Sequence, residues 1–270
     1  MRILTSLMCL LGLTTTAVAQ QQRPGMVDVD LELVLAVDIS YSMDMDELRL
    51  QRDGYVTAIT SKPVLDAIKQ GIHGKIAVVY VEWAGSNQQK VILDWTVIDG
   101  PDTAGAFADR LAETAPSRAY RTSISTALTF SAPLFDKNAY NGLRRVIDVS
   151  GDGPNNQGIL VTQARDMVVA QGISINGLPL SLKAPNSMSV DVDDLEGYYR
   201  DCVIGGPGAF VVSLNDKAKF AEAIREKLVL EISDAMPPPK FIRTQGKPTN
   251  CAIGEQIWRD RYGDANPDWQ

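Results

Sequence analysis

Residues 31–42 read LELVLAVDISYS, an apolar run of strand length that ends abruptly in Asp-x-Ser-x-Ser. A helix-like pattern begins at Asp44, so the polar residues fall in a turn between a buried strand and a helix. Open α/β sheets bind ligands at the carboxyl ends of their parallel strands. The carboxylate of Asp38 and the hydroxyls of Ser40 and Ser42 are hard oxygen donors, which suit Mg²⁺, Mn²⁺ or Ca²⁺. This stretch therefore predicts a divalent-cation site.

The rest of the chain alternates predicted strands with predicted helices. Strands are predicted at Leu31–Val37, Lys75–Trp83, Lys90–Ile98, Arg145–Val149, Ile173–Leu178 and Ala209–Val212. Helices are predicted at Asp44–Ser61, Asp102–Glu113, Ser123–Phe135, Gly158–Gln171, Val192–Arg200 and Lys217–Ile232. The short turn between the second and third strands forces an antiparallel hairpin. The pattern predicts an α/β fold with a Rossmann-like, doubly wound, mostly parallel six-stranded sheet, one antiparallel hairpin strand, and helices on both faces.

Residues 1–19 are typical of a secretion signal. Arg2 supplies the positive charge, residues 3–13 form a short apolar core, and residues 17–19 (Ala-Val-Ala) form a small-residue cleavage site. We therefore expect cleavage after Ala19 and a periplasmic or secreted protein. No later stretch approaches the roughly 18 continuous apolar residues of a membrane span, so no transmembrane segment is expected in the mature chain.

The chain divides into four predicted parts: a signal peptide at 1–19, a polar leader at 20–27, one α/β domain at 28–234, and a Pro-rich boundary with a C-terminal tail at 235–270. We expect the tail to be extended and pinned through Cys251. After signal removal the chain keeps two cysteines, Cys202 and Cys251. In an exported protein such a pair is typical of one disulfide, and two free buried thiols are the alternative.

The charge pattern limits the classes of partner that the protein can bind. The chain has a net charge of −7 and no cluster of Lys or Arg. Binding to nucleic acid or to anionic lipid depends on such clusters. We therefore expect no nucleic-acid partner.

Two other strand ends offer further oxygen ligands. A hard cation needs roughly six oxygens, and one loop supplies only three. Thr122 opens a predicted helix, and Asp152 follows the fourth predicted strand in the sequence Ser-Gly-Asp-Gly. A doubly wound sheet places both loops beside Asp38.

In this order, the three segments resemble the signature segments of von Willebrand factor type A (vWA) domains. These segments are Asp38-x-Ser-x-Ser, Thr122 five residues before an Ala-Leu pair, and Asp152 followed by glycine. The resemblance covers residues 28–234. In that family the segments form the metal-ion-dependent adhesion site, so the resemblance implies a cation site made from them.

The resemblance also implies a role for each residue. Ser40 and Ser42 are expected to bind the cation directly, Thr122 directly or through water, and Asp38 and Asp152 mostly through water and hydrogen bonds. A shell rich in hydroxyls leaves the cation electrophilic, and its open position then attracts a carboxylate of a partner protein. Mg²⁺ is the expected cation, with Mn²⁺ and Ca²⁺ as alternatives.

A narrower resemblance and two departures complete the comparison. Residues 198–210 are similar to the tail of an exported bacterial group known as domain of unknown function 1194, which has no established role. Arg121 stands where vWA domains often have glycine, and its charge is expected to tune the cation affinity or to pair with Asp152. Asp44 and Asp46 only partly match the adjacent metal site of integrin-type domains, and we interpret them as helix-start acids.

We predict an exported protein-binding module and not an enzyme, with a metal-assisted hydrolase or phosphoesterase as the alternative. A haloacid-dehalogenase-type phosphotransferase needs a second Asp two residues after the first, where this chain has Ser40. A serine hydrolase needs a base, and His73 accompanies no Gly-x-Ser-x-Gly motif. Helix capping by Asp38, Ser40 and Ser42, without a metal, remains the other interpretation.

Overall fold

The computed structural model of this protein describes residues 25–182, 192–237 and 249–263. The predicted signal peptide lies outside these residues, as does most of the predicted leader.

One five-stranded sheet forms the centre of the domain, with the strand order β3-β2-β1-β4-β5. Its strands are β1 (Val27–Asp38), β2 (Ile76–Trp83), β3 (Gln89–Ile98), β4 (Tyr140–Gly151) and β5 (Ser174–Pro179). Strand β1 pairs in parallel with β2 and β4, and β4 pairs in parallel with β5. Strand β3 pairs antiparallel with β2, which confirms the predicted hairpin. Residues 33–37 of β1 and 76–81 of β2 are continuous apolar runs, because helices cover both faces of these strands.

The predicted sixth strand, Ala209–Val212, is wrong. Within the described residues this segment makes only single bridges to β5, such as Gly177 with Val211. Gly206 and Gly208 have φ values of 91° and 68°, on either side of Pro207. Because of these turns, the segment forms isolated bridges with β5 and does not pair with it as a continuous strand.

Helices cover the two faces of the sheet. They are α1 (Met45–Ile59), α2 (Lys62–Lys69), α3 (Pro101–Ala112), α4 (Ile124–Ser131), α5 (Val161–Val169), α6 (Leu195–Tyr198), α7 (Phe220–Ser233) and α8 (Ile253–Tyr262). One apolar core lies between the sheet and α1, α2, α3 and α7. A second lies on the opposite face, against α4, α5 and α6. The two cores confirm the doubly wound arrangement.

The C-terminal segment differs from the extended tail that we predicted. Residues 253–262 form α8, and the predicted disulfide joins Cys202 to Cys251 just before this helix, with their Cα atoms 5.5 Å apart. A ten-residue helix is marginal on its own, so its attachment to the domain stabilises it. None of the helices in the described residues is long and apolar enough to cross a membrane.

A group of charged side chains is buried between the sheet and α7. Lys227 pairs with Asp148 at 2.8 Å and also with Glu231, and each of the three is at most 1% exposed. Asn176 donates a hydrogen bond to Glu231 at 3.1 Å. Burial, followed by the nearby charge of Asp148, raises the pKa of Glu231 to about 7. One lysine therefore faces two carboxyl groups, and the folded protein holds a proton on Glu231 up to near-neutral pH.

We expect Glu231→Gln to gain stability relative to the wild type as pH rises from 5 to 8. The pKa of Glu231 is about 7 in the folded protein and near 4.5 in the unfolded chain. The folded state thus binds more protons between these values, and wild-type stability falls as pH rises through them. Glutamine does not ionise, so the difference in unfolding free energy should shift towards the variant by about 1–3 kcal/mol.

Urea unfolding of both proteins at pH 5 and pH 8 measures this shift. The matched control is Glu226→Gln, an exposed glutamate on the same helix, which should leave the pH dependence unchanged. Equal pH dependence of wild type and Glu231→Gln would contradict the prediction.

Candidate cation site

Asp38 is the last residue of β1, and its side chain is fully buried. Its Oδ1 accepts a hydrogen bond from the backbone N–H of Ser40 at 2.7 Å, which fixes the turn after the strand. The Ser40 and Ser42 hydroxyls lie 2.8 Å apart, and the Ser42 hydroxyl donates to Asp152 Oδ1 at 2.6 Å. Asp38, Ser40, Ser42 and Asp152 therefore form one continuous hydrogen-bonded group at the carboxyl edge of the sheet.

Asp44 is the residue that caps α1. Its side chain accepts hydrogen bonds from the backbone N–H groups of Asp46 and Glu47, and Glu47 closes a capping box. The interpretation of Asp44 and Asp46 as helix-start acids is thus confirmed. Because Asp44 supplies the cap, helix capping does not explain Asp38, Ser40 and Ser42.

Gly151 lets the loop after β4 approach Asp38 closely. A Cβ atom at this position would lie only 2.9 Å from Asp38 Oδ2, which leaves no room for a side chain. Burial, and then the negative charge of Asp152, raises the pKa of Asp38 well above its usual value. A fully buried carboxyl group, Asp38, therefore lies near a second, half-buried one, Asp152.

A divalent cation fits this arrangement. Asp38 Oδ2 is buried and has no hydrogen-bond partner among the described residues. A buried carboxylate oxygen without a hydrogen bond is unfavourable unless a proton or a cation neutralises its charge. The described residues contain no group of three or more His, Cys, Asp or Glu side chains arranged to hold a metal. The candidate donors are two carboxylates with serine hydroxyls, a hard and weakly charged set suited to Mg²⁺, Mn²⁺ or Ca²⁺.

Thr122 lies in the third loop at this edge and is 5% exposed. Its backbone N–H donates to Asn156 Oδ1 at 3.0 Å, and its carbonyl accepts from the Asn156 N–H at 2.8 Å. The neighbouring Ala119 N–H donates to the Ile39 carbonyl at 3.0 Å. These hydrogen bonds tie the Thr122 loop to both of the other loops.

The residues that hold these loops together were not predicted from the sequence. Asn155 Oδ1 accepts from the Ser125 N–H at 2.9 Å, and Asn155 and Asn156 are almost completely buried. Tyr199 is also buried, and its hydroxyl lies 2.8 Å from where a Cβ of Gly151 would be, beside Asp38. The sequence does show a run of amide side chains at residues 155–157, just after Asp152, and this run could have indicated a role for the asparagines.

Helix α8 contacts two of the three loops. The Asn155 side chain donates to Glu255 Oε1 at 2.7 Å, and Gly254 packs so tightly on the Asn155 carbonyl that no larger residue fits. The Arg121 guanidinium lies 3.2 Å from the centre of the Trp258 ring. Arg121 thus stacks on α8, and its expected electrostatic role towards the cation or Asp152 stays a prediction.

This fold and these loops define the class: the protein has a vWA fold. A von Willebrand factor type A domain from Catenulispora acidiphila aligns with 13% identity over 76% of this chain and 43% of that chain, with a TM-score of 0.54. The pilus adhesin SpaC from Lactobacillus rhamnosus GG aligns with 9% identity over 76% and 31%, with a TM-score of 0.58. Proximal thread matrix protein 1 from the mussel byssus, in a structure with a zinc-occupied adhesion-site motif, aligns with 13% identity over 77% and 49%, with a TM-score of 0.55.

The chain belongs to the family described as protein of unknown function (DUF1194), whose model matches residues 28–236. This match confirms the narrower resemblance. No curated protein matches the chain. The chain spans half or less of each of the three solved structures, and at these identities they show the fold alone.

Proposed function

We propose that this protein is an exported protein-binding module that uses a divalent cation to capture a carboxylate of its partner. The observation that carries the proposal is the buried, unpartnered Oδ2 of Asp38 beside the chain of hydrogen bonds from Ser40 to Asp152. The vWA fold, seen also in a pilus adhesin, supports a role in binding or adhesion.

Ser40, Ser42 and Thr122 would contribute hydroxyl oxygens to the cation, and Asp38 and Asp152 would hold its water shell and balance its charge. A bound cation would act as a Lewis acid that accepts an oxygen of the partner. Mg²⁺ is the favoured ion because hard oxygen donors and retained water suit it.

Export is supported by two independent features. Residues 1–19 are typical of a secretion signal, and the Cys202–Cys251 disulfide fits an oxidising compartment. The periplasm or the cell exterior is therefore where we expect the partner.

Affinity capture from a periplasmic extract of the source organism tests this function. The immobilised protein should retain a partner in 5 mM Mg²⁺ and release it in EDTA, and Asp152→Ala should retain at least about tenfold less, since residues around a metal typically contribute 10–100-fold in affinity. The control is Asp66→Ala, which removes an exposed acid that pairs with Lys62 on α2. A partner held equally well in EDTA would contradict the proposal.

The described site offers no specific support for the alternative hydrolase, and none of the comparisons indicates a catalytic family. Turnover of a phosphate ester that depends on Asp38 would reverse this conclusion.

A further inference from the structure

Two tyrosine side chains are exposed beside the candidate cation site. Tyr41 lies between Ser40 and Ser42, and Tyr120 lies two residues before Thr122. Their rings stack with centroids 4.2 Å apart and planes 16° apart. Even so, Tyr41 is 46% exposed and Tyr120 is 74% exposed. Stacked aromatic rings on the surface, next to a binding loop, are typical of the residues that contribute most to an interface.

Arg118 holds this pair in place. Its Nη2 donates to the Tyr41 carbonyl at 2.6 Å, and its guanidinium carbon lies 4.5 Å from the centre of the Tyr41 ring. Tyr41 is therefore in contact with both Arg118 and Tyr120, and we call these three side chains the tyrosine platform. Because the rings are already ordered, a ligand that stacks on them loses little conformational entropy in the platform.

The charges around the site favour an acidic partner segment. The chain as a whole has a net charge of −7, yet Arg118 lies within the platform and Arg121 directly precedes Thr122. A bound divalent cation would offset the negative charges of Asp38 and Asp152 at the same edge. The two arginines and the cation would then complement a peptide that carries carboxylates.

We propose that the tyrosine platform binds a flat side chain, proline or aromatic, that lies one or two residues from the cation-bound carboxylate on an extended segment of the partner protein. Consecutive Cα atoms are about 3.8 Å apart, and an extended peptide advances about 3.3 Å per residue. Tyr41 is one residue from each serine, so the platform lies within reach of the residues next to a captured acidic residue. Tyr120, the more exposed of the two rings, is the one that a neighbouring side chain would contact. Aromatic side chains stack on tyrosine, and proline docks on aromatic surfaces. This inference rests on the proposed function and defines the chemistry of its partner.

Selection from a displayed library of random decapeptides tests the proposal. Peptides are bound to the wild-type protein in Mg²⁺ and eluted with EDTA. We expect the eluted sequences to contain Asp or Glu with Pro, Phe, Tyr or Trp within two positions, at least about threefold above the library. The double variant Tyr41→Ala/Tyr120→Ala should still select acidic residues but lose this neighbour preference, whereas Ile72→Ala, which removes another exposed apolar side chain, should keep it.

The outcomes separate the platform from the cation site. An unchanged neighbour preference on the double variant, or none on the wild type, overturns the platform while acidic selection still supports the proposed function. The platform is also overturned if polygalacturonate, an acidic polysaccharide, displaces a captured partner from the protein and the selected peptides do not displace it. A library that yields no EDTA-eluted acidic sequences counts against the proposed function itself. Titration with Mn²⁺ checks that the double variant keeps its cation site.

Discussion

Replacing Asp38 by asparagine is expected to weaken Mn²⁺ binding about a hundredfold and, at the same time, to stabilise the cation-free protein. The loss of affinity follows from removing one of the two carboxylates of the proposed cation site. The gain in stability follows from the burial of Asp38 beside Asp152, which raises the pKa of Asp38. The amide keeps its acceptor for the Ser40 N–H and carries no charge, so we expect about 1–2 kcal/mol of added stability.

Calorimetric titration with Mn²⁺ and urea unfolding in EDTA measure the two effects. The stability gain should shrink as the pH falls, because a group with a raised folded pKa destabilises the fold only when it is ionised. Asp46→Asn is the matched control: its side chain is 92% exposed, and the change removes the same charge close to the site. Unchanged Mn²⁺ affinity in Asp38→Asn, or lower stability of its cation-free form, would contradict this account of the site.

The predictions that succeeded depended on local patterns. The apolar run that ends at Asp38 and the short turn before β3 are contained in a few adjacent residues, and both gave the correct arrangement. The sixth strand failed because Ala209–Val212 has strand-like residues, but the turns at Gly206 and Gly208 allow only single bridges to β5. A strand is defined by its neighbour, and the sequence does not show where that neighbour lies.

The sequence predicted the residues of the candidate site but not the contacts that hold its loops. Asp38, Ser40, Ser42 and Asp152 follow two predicted strands, so the sheet alone brings them together. The contacts that hold their loops involve residues far apart in sequence, and no periodic pattern links Asn155 with Glu255 or Arg121 with Trp258. These contacts depend on the packing of α8, a segment that the sequence predicted to be an extended tail.

Helix α8 matters because it joins a covalent crosslink to the cation-site loops. The disulfide lies two residues before the helix begins, and the helix contacts Asn155 and Arg121. Asn155 in turn accepts from the Ser125 N–H in the helix that Thr122 precedes. Loss of the crosslink should therefore affect both the stability of the domain and the order of the site.

Replacing Cys202 and Cys251 together by serine is expected to lower the unfolding free energy by about 4 kcal/mol, the chain-entropy value for a loop of about 50 residues. We also expect about tenfold weaker Mn²⁺ binding, since an unattached α8 no longer holds the loops.

Trp258→Ala should weaken Mn²⁺ binding while keeping most of the stability, because it removes the Arg121 contact and leaves the disulfide intact. Urea unfolding and Mn²⁺ titration of both variants separate the two roles of α8. Wild-type Mn²⁺ affinity in both variants would show that α8 stabilises the domain without ordering the site.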